Sequence, residues 1–554
     1  MFISASRVQL QDKSDHRIHC ISRDDYSLYW RGFVYLDGVP AGTPSMVRFA
    51  DDVSPEALAQ QSARLKGVYF VVLHDHRSRD SYAFVDGSGL FQAFYSERFV
   101  GTSFLEMAEA EQLRPNDLDP EALVEFFHFG NVYSGKTLFS QIKKITPEQI
   151  IRLSSKGNLS LLPRAVRELT APVISFEESM RSFAAAAAEE QISLDLTGGI
   201  DSRLLVVMLQ SLGLRFEIAT CGLSNDPDVS IARQVAEALD LELHVTERAM
   251  DSVDWTEVFK DCDGLFDVVR ACSQAQMRTE RRQRGISLVV IGVGGELLKD
   301  FWWLQDMPFY ARSRPNLEKL YAFRIAPAPL QHSYLSVRYR AASLTYRQRA
   351  LRTLSAYVVS GNTCTYDRIY YSYKMRECGG RSATNYSRQI HCYAPYLERE
   401  VVAFGYQLPR TQRFFNNFHR QMITRLNPGV ARIPTTEGGI SVSADVLPIS
   451  RDLFRYVSDK FSRLTNKLGQ KVFDRAHRRG DFDAADFATS VREVSTRRRT
   501  LDRLKDLGIL SPAVQLNQVN TDYLGRMLSL DMLLEKLETV RPMAYSNMAT
   551  VEAA

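Results

Sequence analysis

The chain has 554 residues, 45% hydrophobic and 24% charged, and its 69 Lys and Arg against 65 Asp and Glu leave a net charge of +4. That length predicts about three domains. The apolar content excludes a mainly disordered chain, and so mild a charge does not point to nucleic acid. The seven cysteines (Cys20, Cys221, Cys262, Cys272, Cys364, Cys378 and Cys392) contain no CxxC pair. Neither a zinc ribbon nor a disulfide framework is therefore expected, and reduced thiols in a cytoplasmic protein are. No basic stretch followed by an apolar one opens the sequence, and no run approaches about 18 apolar residues, so neither a secretory signal nor a membrane-spanning helix is expected.

Three zones follow in chain order. Residues 1–165 carry short apolar or alternating runs, at 28–35, 68–73, 82–85 and 149–153, separated by turn pairs such as Asp37-Gly38 and Asp86-Gly87. They predict antiparallel β structure, with a helix over 54–65 that has Pro55 in its first turn. Residues 175–447 alternate: a helix over 176–190, a strand over 192–196, a helix over 202–212, a strand over 215–221, a helix over 228–239, and strands over 242–245 and 288–291. This order implies a doubly wound α/β sheet. From Trp302 to Gln421 the pattern becomes helical and rich in aromatics. Residues 448–554 predict polar helices, with Arg497-Arg498-Arg499 as a solvated face and a frayed end from Ala544.

The segment with the most chemistry in it is Ile192-Ser-Leu-Asp-Leu-Thr-Gly-Gly-Ile-Asp-Ser-Arg203. An apolar strand ends in Thr197-Gly198-Gly199, and Asp201-Ser202 open a helix. Two glycines let backbone N–H groups approach phosphate oxygens without a Cβ in the way. The helix N-terminus behind them offers free donors and a partial positive charge. Asp201 repels phosphate directly, which implies a Mg²⁺ between them. The Gly-Lys-Ser/Thr ending of a Walker A loop is missing.

Leu196-Thr-Gly-Gly-Ile-Asp-Ser202 resembles the pyrophosphate loop of the N-type ATP pyrophosphatases, and the whole layout is similar to the asparagine synthetase family, which includes β-lactam synthetase and lasso-peptide cyclases. Cys221-Gly222-Leu-Ser-Asn-Asp226-Pro-Asp228 resembles the second family strand and its helix. Ile291-Gly292-Val-Gly294-Gly-Glu296 resembles the third, and Tyr393-Ala-Pro-Tyr-Leu-Glu-Arg-Glu400 the segment before a closing helix. Lys66-Gly-Val-Tyr-Phe-Val-Val72 and Phe84-Val-Asp-Gly-Ser-Gly-Leu90 resemble the amidotransferase half. The resemblance implies a multi-domain α/β chain. An Ntn-type αββα amidotransferase-like domain (1–165) would precede a doubly wound parallel-sheet, HUP-like ATP pyrophosphatase domain (175–447), followed by a helical C-terminal part (448–554). It implies ATP and Mg²⁺, with Asp201 and Glu296 on the metal. Leu196, Thr197, Gly198, Gly199, Ser202 and Arg203 would surround the phosphates, with Cys221, Gly222, Gly292 and Gly294 also lining the nucleotide. Asp263 and Asp267 fall where the family has an acid near the substrate amine.

Three departures narrow the function. Phe2 stands where glutamine-hydrolysing members have the Cys whose own α-amine serves as base, so no glutaminase activity is expected. The amine is then free ammonia, ammonia from a partner, or an amine of the substrate. Val293 replaces the family's Glu or Tyr, which leaves Tyr373, Glu377 and His391 as candidate bases, with Glu377 first. The family's phosphate-stabilising Lys falls on Pro434 or Thr435. Arg413, His419, Arg420, Arg425 and Arg432 are the nearby cations, with Arg420 and Arg432 first, while Lys299 and Asp300 line the same rim.

The function expected is an AMP- and pyrophosphate-forming amide ligase. It would act on a small-molecule, glycan (a uronic acid) or peptide carboxylate, with no nucleic-acid or membrane partner. The alternative is a non-catalytic nucleotide-binding or scaffold homologue.

Overall fold

The computed structural model describes residues 1–4, 7–9, 18–166, 169, 174–247, 253–299, 314–436, 438–455, 457–458 and 494–539. Its N-terminal strands are β1 (Phe2–Ser4), β2 (Arg7–Gln9), β3 (Ile18–Ser22), β4 (Tyr26–Tyr35), β5 (Lys66–Asp75), β6 (Ser81–Val85), β7 (Phe94–Tyr95), β8 (Phe99–Gly101), β9 (Lys143–Lys144), β10 (Gln149–Leu153) and β11 (Leu159–Pro163). They form two sheets whose pairings are all antiparallel, in the orders β2-β1-β8-β7-β9 and β11-β10-β6-β5-β4-β3.

The period-2 alternation sorts the second sheet's side chains. Phe33, Tyr35, Val68, Phe70 and Val72 join the large core shared with Phe2, Ile3 and Phe94 of the first sheet. Trp30, Val34, Tyr69 and Val71 face the other way, onto Met46 and Phe49 of the helix Thr43–Asp52. Close pairing of β4 with β5 needs two glycines: a Cβ on Gly32 (φ +102°) would lie 2.2 Å from Val68 O, and one on Gly67 (φ +110°) 2.1 Å from Phe33 O. Helices Phe104–Ala110 and Pro120–Phe129 contribute Phe104, Met107, Leu123 and Phe126 to the shared core. These antiparallel sheets fit an Ntn-like domain. The helix expected over 54–65 shrinks to Leu58–Gln61 and a 3₁₀ turn, Ser62–Arg64. The real helix, Thr43–Asp52, lies upstream with Pro44 in its first turn, masked in the sequence by Gly38, Pro40 and Gly42 around its start.

The middle zone builds a parallel sheet from β12 (Ile192–Asp195), β13 (Glu217–Cys221), β14 (Leu243–Thr246), β15 (Leu288–Val290) and β16 (His391–Tyr393), in the order β14-β13-β12-β15-β16. The first four strands match the sequence expectation. β16 has only three residues and was not foreseen as a strand. The winding reverses between β12 and β15, and their C-terminal ends flank the crevice where open α/β sheets bind ligands.

Helical elements close that crevice. Asn362–Arg368 runs into a π-helical stretch, Ile369–Met375, and on into Arg376–Tyr386. Phe415 (φ +49°) and Asn416 (φ +62°) break the chain before helix Asn417–Leu426.

The described part of the last zone packs against both earlier ones. In helix Thr521–Thr539, Ser529 Oγ accepts from Val268 N–H at 3.0 Å, and Arg526 Nη1 donates to His128 O at 2.6 Å. Arg499 of helix Val494–Asp506 pairs with Glu535 at the surface. Asp300, the start of the stretch expected to be helical from Trp302, and the end expected to fray from Ala544 lie outside the described residues. Among the described residues, no helix is long and apolar enough to cross a membrane.

Candidate active site at the sheet switch point

β12 gives way to a loop that closes on itself before helix Asp201–Ser211. Thr197 N–H donates to Ser202 Oγ at 3.1 Å, and Gly199 N–H to Thr197 Oγ1 at 3.3 Å. Leu196, fully buried, still follows the sheet through its N–H to Ala219 O at 2.9 Å. The helix behind the loop has Ile200 at its N-cap and no side-chain cap, so its N-terminal donors are left for an anion.

A second segment lies against the loop. A Cβ on Gly198 would sit 2.3 Å from Thr436 Cγ2 and 2.6 Å from Asp228 Oδ1. Gly198 N–H donates to that same carboxylate oxygen at 3.0 Å. Arg203, fully buried, donates to Ile433 O at 2.6 Å and Pro434 O at 2.9 Å. Burial lowers its pKa to about 10. Arg203 therefore ties down residues 433–434 and points its guanidinium at carbonyls.

Asp201 and Glu296 come together here. A Cβ on Gly295, next to Glu296, would lie 2.5 Å from Asp201 Cγ, and one on Gly292 would lie 3.3 Å from Ser202 N, so the β15 turn can seat only small residues against the helix start. Gly294 (φ +97°) abuts Leu397, and Tyr396 Oη donates to Asp201 O at 2.8 Å. Lys299 Nζ lies 2.6 Å from Asp201 Oδ2, and His419 Nε2 3.0 Å from Oδ1, the latter without hydrogen-bond alignment. Burial pushes the Asp201 carboxyl up, but these two neighbours outweigh it and hold the group well below the usual carboxylate range. Burial lowers the pKa of His419 against the pull of Asp201. Glu296 accepts a hydrogen bond from the Tyr370 hydroxyl.

Among the described residues, no three His, Cys, Asp or Glu side chains are grouped to hold a metal. Two carboxylates nonetheless suit Mg²⁺, which takes one or two and completes its shell with water and phosphate oxygens.

The other predicted residues scatter. Cys221 and Gly222 end β13, with Gly222 N–H donating to Thr246 O at 3.1 Å. Asp226 occupies the N-cap position of helix Pro227–Leu239 without a side-chain cap bond, and its carboxylate accepts from Leu223 N–H at 2.8 Å. Glu377 is buried at the joint with the N-terminal domain, ion-paired with Lys144 and with Gln92 Nε2 donating to its carbonyl at 3.2 Å. Tyr373 Oη reaches Glu125 Oε1 at 3.5 Å, and His391 lies on β16.

Arg420 does not face the loop. Its guanidinium pairs with Asp452 and donates to Phe415 O, Ser441 O and Ser443 O. Arg432 is exposed. Arg413 is buried against Asp367, and Arg425 pairs with Glu177. Asp263 caps helix Phe104–Ala110 from outside, taking Phe104 N–H and Leu105 N–H, while Asp267 caps its own helix, Val268–Gln283.

Lys299 and His419, read from the sequence only as rim and helix cations, are thus the side chains that reach Asp201. Tyr370 reads from the sequence only as core or pocket wall, and Tyr396 only as part of the segment before a closing helix; neither reading gives the contact with Glu296 or Asp201. Only the position of Lys299, three residues past Glu296, carried a signal.

Residues 176–429 match the family model described as asparagine synthase. No curated protein matches the chain. The matched span holds β12 to β16, the Thr197–Ser202 loop, Asp201 and Glu296; over that span the chain is similar to the asparagine synthase family.

Proposed function

We propose that the chain is an ATP-dependent ligase that adenylates a substrate carboxylate, releases pyrophosphate, and lets an amine displace AMP to form an amide, without glutaminase activity of its own. The observation that carries this reading is the meeting of Asp201 and Glu296 beside the uncapped N-terminus of helix Asp201–Ser211. In this reading the helix N-terminus and loop amides hold the pyrophosphate end of ATP. Leu196, Cys221, Gly222, Gly292 and Gly294 line the nucleotide at the strand ends. Asp201 and Glu296 would hold Mg²⁺, which would supply charge neutralisation on the phosphates. Lys299, beside Asp201, would then offer its ammonium to a phosphate oxygen. The gain comes from positioning and from fixed charge.

In this reading the amine is not drawn from glutamine on this chain: Phe2 of β1 is buried and carries no thiol. Cys20 is exposed on β3. Free ammonia, ammonia from another enzyme, or a substrate amine remains as the donor. The carboxylate belongs to a small molecule, a glycan or a peptide. Glu377 is retained as the base candidate, held in place by Lys144.

One observation favours the scaffold alternative: the site satisfies itself, with Gly198 N–H spent on Asp228 and Asp201 on Lys299. Titration followed by ATP–pyrophosphate exchange separates the two readings, because a non-catalytic nucleotide-binding homologue would bind without exchanging. Mg-ATP is titrated calorimetrically into wild type, Asp201→Ala and Glu296→Ala. Metal-dependent binding by wild type that both variants lose supports the nucleotide site, and ATP–pyrophosphate exchange, screened across carboxylates, then supports the ligase. No binding by wild type at millimolar ATP sinks the ligase reading in favour of the scaffold.

A further inference from the structure

Residues 446–455 and 457–458 form a helix whose outward side is apolar. Val446 is 84% exposed, Phe454 76% and Leu447 60%, and Val457 and Leu453 are exposed beside them. Five of the large apolar side chains that the described residues leave in water thus fall within twelve residues. Scattered single exposures are ordinary, but a contiguous patch marks a contact surface.

The helix is fixed in this orientation. Asp452, on its inner side, is buried and accepts from Arg420, whose other donors hold Ser441 O and Ser443 O. A simple roll that buried the apolar side would break this buried ion pair and leave a charge without its partner, which is costly.

The charge on the outward side selects the occupant. Ser450, Arg451 and Ser458 are the exposed polar residues among the apolar ones, and Arg455 flanks them, half-exposed, against Asp452. Asp445, just before the helix, is an exposed carboxylate that accepts from Ser443 Oγ at 2.8 Å, so the basic excess comes from the residues that follow. The sequence beyond is basic and apolar: Phe461, Leu464, Leu468 and Val472 recur every three or four residues, with Lys460, Arg463, Lys467 and Lys471 between them against the single acid Asp459. Leu and Phe with interspersed Arg and Lys is the chemistry of a helix lying in the headgroup region of an anionic bilayer. A second copy docked by two-fold symmetry would instead bring two Arg451-bearing faces together.

We infer that the helix at residues 446–458 is a membrane-surface contact, inserting Leu447, Leu453, Phe454 and Val457 into the interface of an anionic bilayer. This departs from the expectation of no membrane partner. It is independent of the nucleotide reading, because the contact needs no ATP.

The test is co-sedimentation of the full chain, without nucleotide, with vesicles of phosphatidylcholine alone and with added phosphatidylglycerol. Wild type is expected to sediment with the phosphatidylglycerol vesicles and to be released by salt. Leu447→Ser with Phe454→Ser is expected to weaken partitioning by about tenfold or more. Both side chains are exposed, so the fold tolerates the change, and an unaltered melting temperature verifies it. Arg451→Glu is expected to weaken binding to the anionic vesicles. Failure of wild type to sediment with anionic vesicles overturns the proposal, as does sedimentation that the double variant leaves unchanged. A wild-type dimer that the double variant dissociates, with no vesicle binding, overturns it in favour of a second copy of the chain.

Discussion

Lys299 Nζ sits 2.6 Å from Asp201 Oδ2, so the carboxylate that opens helix Asp201–Ser211 is neutralised by a cation arriving three residues after Glu296. A carboxylate and an ammonium so placed can exchange partners. Under the proposed ligase reading, Asp201 would hold Mg²⁺ and the Lys299 ammonium would be left to meet a phosphate oxygen. Hydrogen bonds to charged groups are worth about 1.5–3 kcal/mol. Lys299→Ala is therefore expected to weaken Mg-ATP binding roughly ten- to a hundredfold. Calorimetric titration reads this directly. Tighter binding by the variant would show that Lys299 competes with the metal instead of assisting the phosphate.

Tyr370 owes its reach to Glu296 to the π-helical stretch Ile369–Met375. One added residue per turn rotates side chains off the register of a continuous α-helix, a device found often at functional sites. Tyr370→Phe keeps the buried ring and removes only the donor. Mg-ATP affinity should fall about fivefold, matching a lost hydrogen bond of about 1 kcal/mol. The melting temperature should stay within a few degrees of wild type. A large loss of thermal stability, with affinity intact, would make the hydroxyl a structural group.

Much of the crevice at the β12 and β15 ends is legible from residues 192–203 and 288–296, because strand, glycine turn and helix start are local features. What the sequence hid depends on contacts between distant segments. His419 reaches Asp201 in place of Arg420 because the left-handed pair Phe415-Asn416 sets the phase of the following helix. No periodicity announces such a break in residues other than glycine. Arg203 looked like a phosphate clamp beside its loop, and only the return of residues 433–436 shows which carbonyls it serves. β16, three residues long, falls below the length at which alternation can be seen.

Asp263 separates a structural acid from a chemical one. Family position suggests an acid near the amine, but its oxygens accept from Ser103 Oγ at 2.6 Å, Phe104 N–H at 2.5 Å and Leu105 N–H at 3.2 Å, and it pairs with Arg388 at 2.8 Å. Asp263→Ala leaves the Phe104 and Leu105 amides at the start of helix Phe104–Ala110 without their acceptor and leaves Arg388 without its carboxylate, while the N-cap Ser103 remains. Losing one partner of a buried pair costs about 3–5 kcal/mol, so a clear drop in urea midpoint is expected. Mg-ATP affinity per folded molecule should not change. A stable variant with impaired ATP–pyrophosphate exchange would return Asp263 to the chemistry.

Glu398 makes stability at the joint between the N-terminal and synthetase domains depend on pH. It caps helix Arg399–Gln407 through Arg399 N–H at 3.1 Å and accepts Gly67 N–H of β5 at 3.1 Å. Burial raises its pKa to about 7, with Glu400 adding to the rise and Lys66 opposing it. An acid whose folded pKa lies above its unfolded value of about 4.5 binds its proton more tightly when folded. Its contribution is full below about pH 4.5 and is lost as pH rises through about 7. Glu398→Gln carries no charge at either end of that window. The variant is expected to gain on wild type as pH rises, by on the order of 3 kcal/mol across the window as an upper figure. Any fixed cost of the weaker cap appears equally at every pH, so the slope isolates the ionisation. Urea unfolding at pH 4.5 and pH 8 reads the difference, and parallel stabilities for the two proteins would mean that Glu398 ionises in the folded chain at no cost.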